Sequence, residues 1–193
     1  MSPRSKEQFE EIREASQRKI FDASLELFGT KGYEATSIAL IAKKAGISKG
    51  LIYNYFDSKE ALLQAMVDDL VSVGDDMIEK IWSDDPAKTL ENLIQSIFEW
   101  FRQNENLNRL LIGLSTQVGK FQFVHDMAKG KMDGYLIMLE GLLQEIGFED
   151  YQTEARILGT LFDGIALHHM LMKEDYPLDE VERMLIKKYC MKP

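Results

Sequence analysis

Cysteine is almost missing from this chain: Cys190 is the only one in 193 residues. No internal disulfide can form, no cysteine pair can ligate a metal, and a reducing compartment suits the chain. Proline is scarce, with four in all, which leaves long stretches free to be helical. No apolar run approaches the roughly 18 residues that span a bilayer. The opening MSPRSKEQFEE is charged and has no apolar core, so no secretory signal is expected. No Asn-x-Ser/Thr acceptor occurs. A cytoplasmic protein that does not enter a membrane is the expectation.

Catalytic and metal signatures are also missing. The histidines are His125, His168 and His169. The adjacent pair would point about 100° apart on a helix and cannot readily share a metal. There is no Glu-x-x-His for a di-iron carboxylate bundle and no glycine-framed nucleophile. GLSTQVGKF at 113–121 is not a phosphate loop: five residues separate Gly113 from Gly119, and Phe121 stands where Ser or Thr is required. No enzyme, no metal and no cofactor are expected.

What is present is an ordinary globular composition, 45% hydrophobic and 28% charged, in a length that suits one domain or two small ones sharing a core. The net charge of −9 argues against indiscriminate nucleic-acid binding. It is unevenly spread, however. Residues 1–60 are net +1 and the remainder net −10; within 31–59 five lysines face only Glu34 and Asp57. Such a patch can attract phosphate locally, although chance unevenness would look the same.

Helical periodicity dominates and no useful strand-like alternation appears. About nine helices are expected, in an all-α fold. The first starts near Ser5, in a capping-box spacing with Gln8, and ends near Phe28 before Gly29 and Gly32. The second covers 37–45 behind Thr36 or Ser37 and stops at Gly46. Ser48 caps a third reaching about Tyr55. Asp57 caps a long fourth, with Glu60 three residues on, that would connect two halves. Further helices follow Pro86, cover LNRLLIGLSTQ, run from about Asp126 to Ile146 and from 154 to 172, and start at Pro177.

A helix of about eight residues, a glycine turn and a second short helix describe a helix-turn-helix. Its second helix enters the major groove and meets base edges with its N-terminal residues. Ile38, Ile41, Ala42, Ala45, Ile47, Ile52 and Phe56 supply the inward side. Ser48, Lys49, Gly50, Leu51, Tyr53, Asn54 and Tyr55 are left for DNA. At most one of the two tyrosines can be buried, because Ile52 and Phe56 already fill the inward face. Lys59 lies in the first turn of the fourth helix, where a cation opposes the helix dipole and a bound phosphate would explain it; pointing to water is the plainer reading.

The stretch IFDASLELFGTKGYEATSIALIAKKAGISKGLIYNYFDSKEALL resembles the N-terminal domain of the TetR/AcrR family of bacterial transcriptional regulators. The likeness covers about residues 18–65 and rests on LELF..KGY..TS, IA..AGIS.G..Y.YF and SKE.LL. It implies a homodimer with a three-helix head at 1–57 and an effector-binding, dimerising half at 58–193. It implies DNA contacts at Thr36, Ser48, Lys49, Gly50, Tyr53, Asn54, Tyr55 and Lys59. Relatives often carry a basic residue at the position of Ala39, an acidic one at Leu40 and a threonine at Leu51. No relative's operator can therefore be borrowed.

The later half is read mainly from its own residues. The helix near 154–172 is apolar over more than half its circumference, so it is buried on two sides. Leu158, Leu161, Ile165 and Met172 form one stripe, and the last helix adds Val181 and Leu185. A twofold four-helix interface follows, with the centre of a monomeric bundle as the alternative. Methionines and aromatics suit an adaptable apolar pocket. Phe98, Trp100, Phe101, Leu114, Met132 and Phe162 are the candidates for a fairly apolar effector, each of them equally suited to plain core packing. The expected protein is a ligand-responsive regulator, a repressor that leaves a palindromic operator when its small-molecule effector binds. The alternatives are an activator of the same fold and a helical small-molecule carrier without operator binding.

Overall fold

The computed structural model describes residues 6–115 and 121–191, so Ser5 and Gly119 lie outside the described residues. Among the described residues there are nine α-helices and no strand. They are α1 (Lys6–Lys31), α2 (Ile38–Ala45), α3 (Lys49–Tyr53), α4 (Lys59–Ile81), α5 (Pro86–Gln103), α6 (Glu105–Ser115), α7 (Gln122–Ile146), α8 (Tyr151–Met172) and α9 (Leu178–Tyr189). A single 3-10 turn, Lys173–Asp175, joins the last two.

Side-chain oxygens start four of these helices by accepting orphan N–H groups. Ser37 accepts from Leu40, Ser48 from Leu51, Ser58 from Ala61 and Asp85 from Ala87. Ser58 caps α4 in place of the expected Asp57, one residue earlier. Gly46 and Gly147 end α2 and α7 in the left-handed region, at φ +68° and +109°. The helices α7 and α8 begin about three to four residues earlier than their apolar periodicity suggests.

The largest difference is at Gly29, expected to help stop α1. The helix runs through it to Lys31, and the left-handed residue is Gly32, at φ +83°. Gly29 serves a crossing instead. A Cβ there would lie 2.5 Å from the carbonyl oxygen of Asn106, so α1 and α6 meet backbone to backbone.

Two apolar clusters form. The first joins Ile20, Leu27, Phe28, Ile41, Ile52, Phe56, Leu62 and Leu63, and also takes in Leu110, Leu114 and Phe121. The second joins Ile81, Leu90, Ile94, Phe98, Leu143, Leu158, Leu185 and Tyr189. A division between residues 57 and 58 therefore does not separate the cores. The first half of α4 and the face of α6 that carries Leu110 and Leu114 belong to the head. The 23 residues of α4 make a rod of about 34 Å that runs from one cluster to the other.

Candidate nucleic-acid interface

The turn between α2 and α3 is closed by backbone bonds. Ile47 N–H donates to Ala42 O at 3.0 Å across the left-handed Gly46, a Schellman-type end. Ile41 and Ile52 are completely buried and Phe56 nearly so, which fixes the rotation of α3. The opposite flank is open. Ser48, Lys49, Gly50, Tyr53 and Asn54 are exposed, with Tyr53 at 46%. The Lys49 ammonium lies 5.6 Å from the centre of the Tyr53 ring. A Cβ on Gly50 would meet nothing closer than Ser48 Oγ at 4.0 Å, so the backbone there is approachable from outside. Leu51 and Tyr55 are half-buried, and the Tyr55 ring leans on Phe56 with the Arg13 guanidinium 5.9 Å from its centre. Neither tyrosine is walled in.

Two expected contacts take a different form. Thr36 is buried, at 1% exposure, and its hydroxyl donates inward to Gly32 O at 2.9 Å, with Leu27 O at 3.2 Å. Its side chain staples the loop after α1 and is not offered to a ligand. The Lys59 ammonium donates to Tyr33 O at 2.8 Å and Thr36 O at 2.9 Å, and sits 4.1 Å over the Tyr33 ring. That explains a cation in the first turn of α4 without any phosphate: it binds the α1–α2 loop to α4. One of its three donors remains for an outside acceptor. The Tyr33 hydroxyl is pushed up to about 12, first by burial and then by Glu60 and Glu34.

Lys43 was not among the expected contacts. It is exposed on α2 with no ion pair among the described residues, whereas its neighbour Lys44 reaches Glu26 Oε1 at 2.6 Å. The local charge excess contained both lysines; only the helix packing tells which is committed.

The family described as bacterial regulatory proteins, tetR family, has an N-terminal model that matches residues 20–66, spanning the second half of α1, all of α2 and α3, and the first turns of α4. Residues 20–66 thus form a tetR-family N-terminal domain. A TetR transcription regulator from Haloarcula marismortui ATCC 43049 has a similar structure, at a TM-score of 0.78 and 22% identity, covering 92% of this chain and 97% of that one. The FadR regulator from Bacillus subtilis, solved in complex with stearoyl-CoA, superposes at a TM-score of 0.70 with 22% identity, covering 91% and 98%. In sequence, the chain is 36% identical over 98 residues to the uncharacterized HTH-type transcriptional regulator YerO of Bacillus subtilis (strain 168). That match spans 49% of this chain and 34% of YerO. The chain thus matches about a third of the length of that relative.

Behind this tetR-type head the six effector candidates do not converge. Phe98 is completely buried in the second cluster and Leu114 lies in the first. Met132 is 55% exposed on α7, and Trp100 and Phe162 are half-buried against the second core. Phe101 lines a cleft of about 670 Å³ between α5, α6, α8 and the 3-10 turn. The dimer candidates divide in the same way. Leu158, Ile165 and Leu185 are buried in their own subunit and Val181 is half-buried there, whereas Leu161 and Met172 face outward. The outward stripe of α8 is Ile157, Leu161, Gly164, His168 and Leu171, with Leu171 at 67% exposure. Among the described residues no helix is long and apolar enough to cross a membrane.

Proposed function

We propose that the protein is a homodimeric, DNA-binding transcriptional regulator of the cytoplasm, acting as a repressor that a small effector releases from a palindromic operator. It carries no catalytic activity in this reading. The observation that carries it is the open flank of α3. Ser48, Lys49, Gly50, Tyr53 and Asn54 are turned outward by the burial of Ile52 and Phe56. Asn54 offers an amide that can pair with adenine, and Lys49, Tyr53 and Lys43 offer donors for phosphate. Two copies joined through the outward stripe of α8 would hold their α3 helices about 34–36 Å apart, on successive major grooves. An effector that prefers another spacing would shift the population away from DNA.

The test is fluorescence anisotropy with fragments selected from the genome by the purified protein. Wild type binds a near-palindrome tightly. Lys49→Ala lowers affinity and flattens the log–log salt dependence by about one unit. Tyr53→Phe weakens binding by about tenfold or less while leaving the fold intact, the worth of one hydrogen bond to a charged acceptor. A purified protein that selects no fragment, or two variants that bind as wild type does, sinks the proposal.

A further inference from the structure

The geometry points to the cleft between the end of α5, the start of α6, the end of α8 and the 3-10 turn as the effector site. Its ligand class is a neutral or cationic amphiphile with a hydrogen-bonding head. The inference rests on the regulator reading for what occupancy accomplishes, but not for binding itself. At about 670 Å³ the cleft is within the range of small-molecule sites. Phe101, Ala166, Met170, Met172 and Tyr176 give it apolar walls.

Two polar groups in it lack partners. Asn108 is only 7% exposed, lines the cleft, and makes no side-chain hydrogen bond among the described residues. His169, whose ring leans on Tyr176 with centres 6.4 Å apart, has a buried Nδ1 with no partner. The Asn108 amide is thus free to bond a ligand head, and the buried His169 nitrogen left unpaired costs free energy that a rotated ring bonded to that head would recover. Asn108 can donate and accept, and His169 can do either according to its tautomer, so an amine, amide or hydroxyl satisfies both.

Charge narrows the choice. The cations of the lining are Arg102 and Lys173; the anions are Glu105, Glu174 and Asp175. Arg102 is already engaged by Asp179 and Glu182, and Glu105 is held by Arg109 at 2.6 Å, with Lys173 more distant at 3.9 Å. Glu174 and Asp175 are exposed in the lining and form no ion pair among the described residues, which disfavours a carboxylate or phosphate head. The class thus differs from the acyl-CoA held by the FadR relative.

The location also supplies a route to the head. Asn108 is two residues from Asn106, whose carbonyl abuts α1 at Gly29, and Leu110 and Leu114 on the same helix are in the head's core. A ligand that draws on Asn108 pulls on the one helix shared by the cleft and the DNA-binding core.

The experiment compares two probes of one chain length and opposite charge, decylammonium and decanoate, below their micelle concentrations, by isothermal titration calorimetry. Wild type binds decylammonium saturably and at least about tenfold more tightly than decanoate, a gap worth one charge-assisted contact. Asn108→Leu loses about tenfold for decylammonium, and Met170→Trp, which fills the cleft, loses binding of both. Circular dichroism confirms that both variants are folded. No saturable decylammonium binding at millimolar concentration, equal affinity for the two probes, or unchanged binding by both variants overturns the assignment. Operator binding is measured in parallel. Cleft binding by a protein that selects no DNA sinks the regulator reading alone; DNA binding with an inert cleft sinks this inference alone.

Discussion

Gly29→Ala isolates the contact between head and effector half. The added Cβ would lie 2.5 Å from the Asn106 carbonyl oxygen, with the Asn106 C and Cα atoms at 3.2 Å. Ordinary contact between such atoms is roughly 3.5 Å, so α1 and α6 must part by about 1 Å. Backbone on both sides leaves no flexible side chain to yield. Overpacking of this kind costs about 1–3 kcal/mol. Alanine also favours helix over glycine by about 0.5–1 kcal/mol, so the net loss is smaller than the clash alone. Gly141, inside α7, supplies the reference: a Cβ there meets nothing within 4 Å. Gly141→Ala should gain the propensity and suffer no clash. The difference between the two variants is then the packing penalty, about 1–3 kcal/mol. Urea unfolding followed by circular dichroism, at one fixed protein concentration because association is linked to stability, reads it directly. If Gly29→Ala proves as stable as Gly141→Ala, the two helices are not in backbone contact and the shared core is misdrawn.

Lys59→Ala should lose about 1.5–3 kcal/mol in the same assay, because Tyr33 O and Thr36 O lose a charged donor; stability equal to wild type refutes the clamp. The Cys190 thiol is pushed up to about 12, first by burial, with Glu91 adding to it and Lys88 opposing. Iodoacetamide at pH 8 should therefore label it far more slowly in native protein than in urea. Since the folded value lies above the ordinary 9.0, the thiol favours the folded state below about pH 9 and loses that contribution as pH rises toward 12. Equal native and unfolded labelling rates exclude such burial. Leu161→Glu should give monomers in sedimentation velocity, since each twofold axis would bring two carboxylates into an apolar stripe; an unaltered dimer moves the interface elsewhere.

The head was legible because local rules converge there. Ser37, Gly46 and Ser48 each do what their residue types do in isolation, and the inward face of α3 follows from spacing. The clamp made by Lys59 is not legible in the sequence because its partners, the carbonyls of Tyr33 and Thr36, are more than twenty residues away. Threonine beside a cap reads as polar surface, whereas loop closure turns Thr36 inward. In the later half a stripe of Leu158, Leu161 and Ile165 looks like one face. Yet Leu158 and Ile165 are buried while Leu161 is 37% exposed, since seven residues rotate a helix by nearly two full turns and three do not. Effector candidates chosen by residue type alone scattered between two cores. The residue that marks the cleft is Asn108, which no apolar pattern would select.

The commitment of α6 to the head's core limits how the two halves can move. Leu110 and Leu114 are as deeply buried as Leu27 and Phe56 in the head's cluster. A rotation of the head that left α6 behind would uncover them, at about 1.5–3 kcal/mol for each leucine. That is comparable to the whole coupling energy of a typical allosteric switch. Head motion without α6 is therefore too costly to serve as a response, and α6 must travel with α1. Its other end, at Glu105 and Asn108, then shears against α8 and the 3-10 turn, where the cleft lies. A ligand wedged at that seam acts where the displacement is forced to occur, whereas one buried at Phe98 would sit inside a core that need not deform.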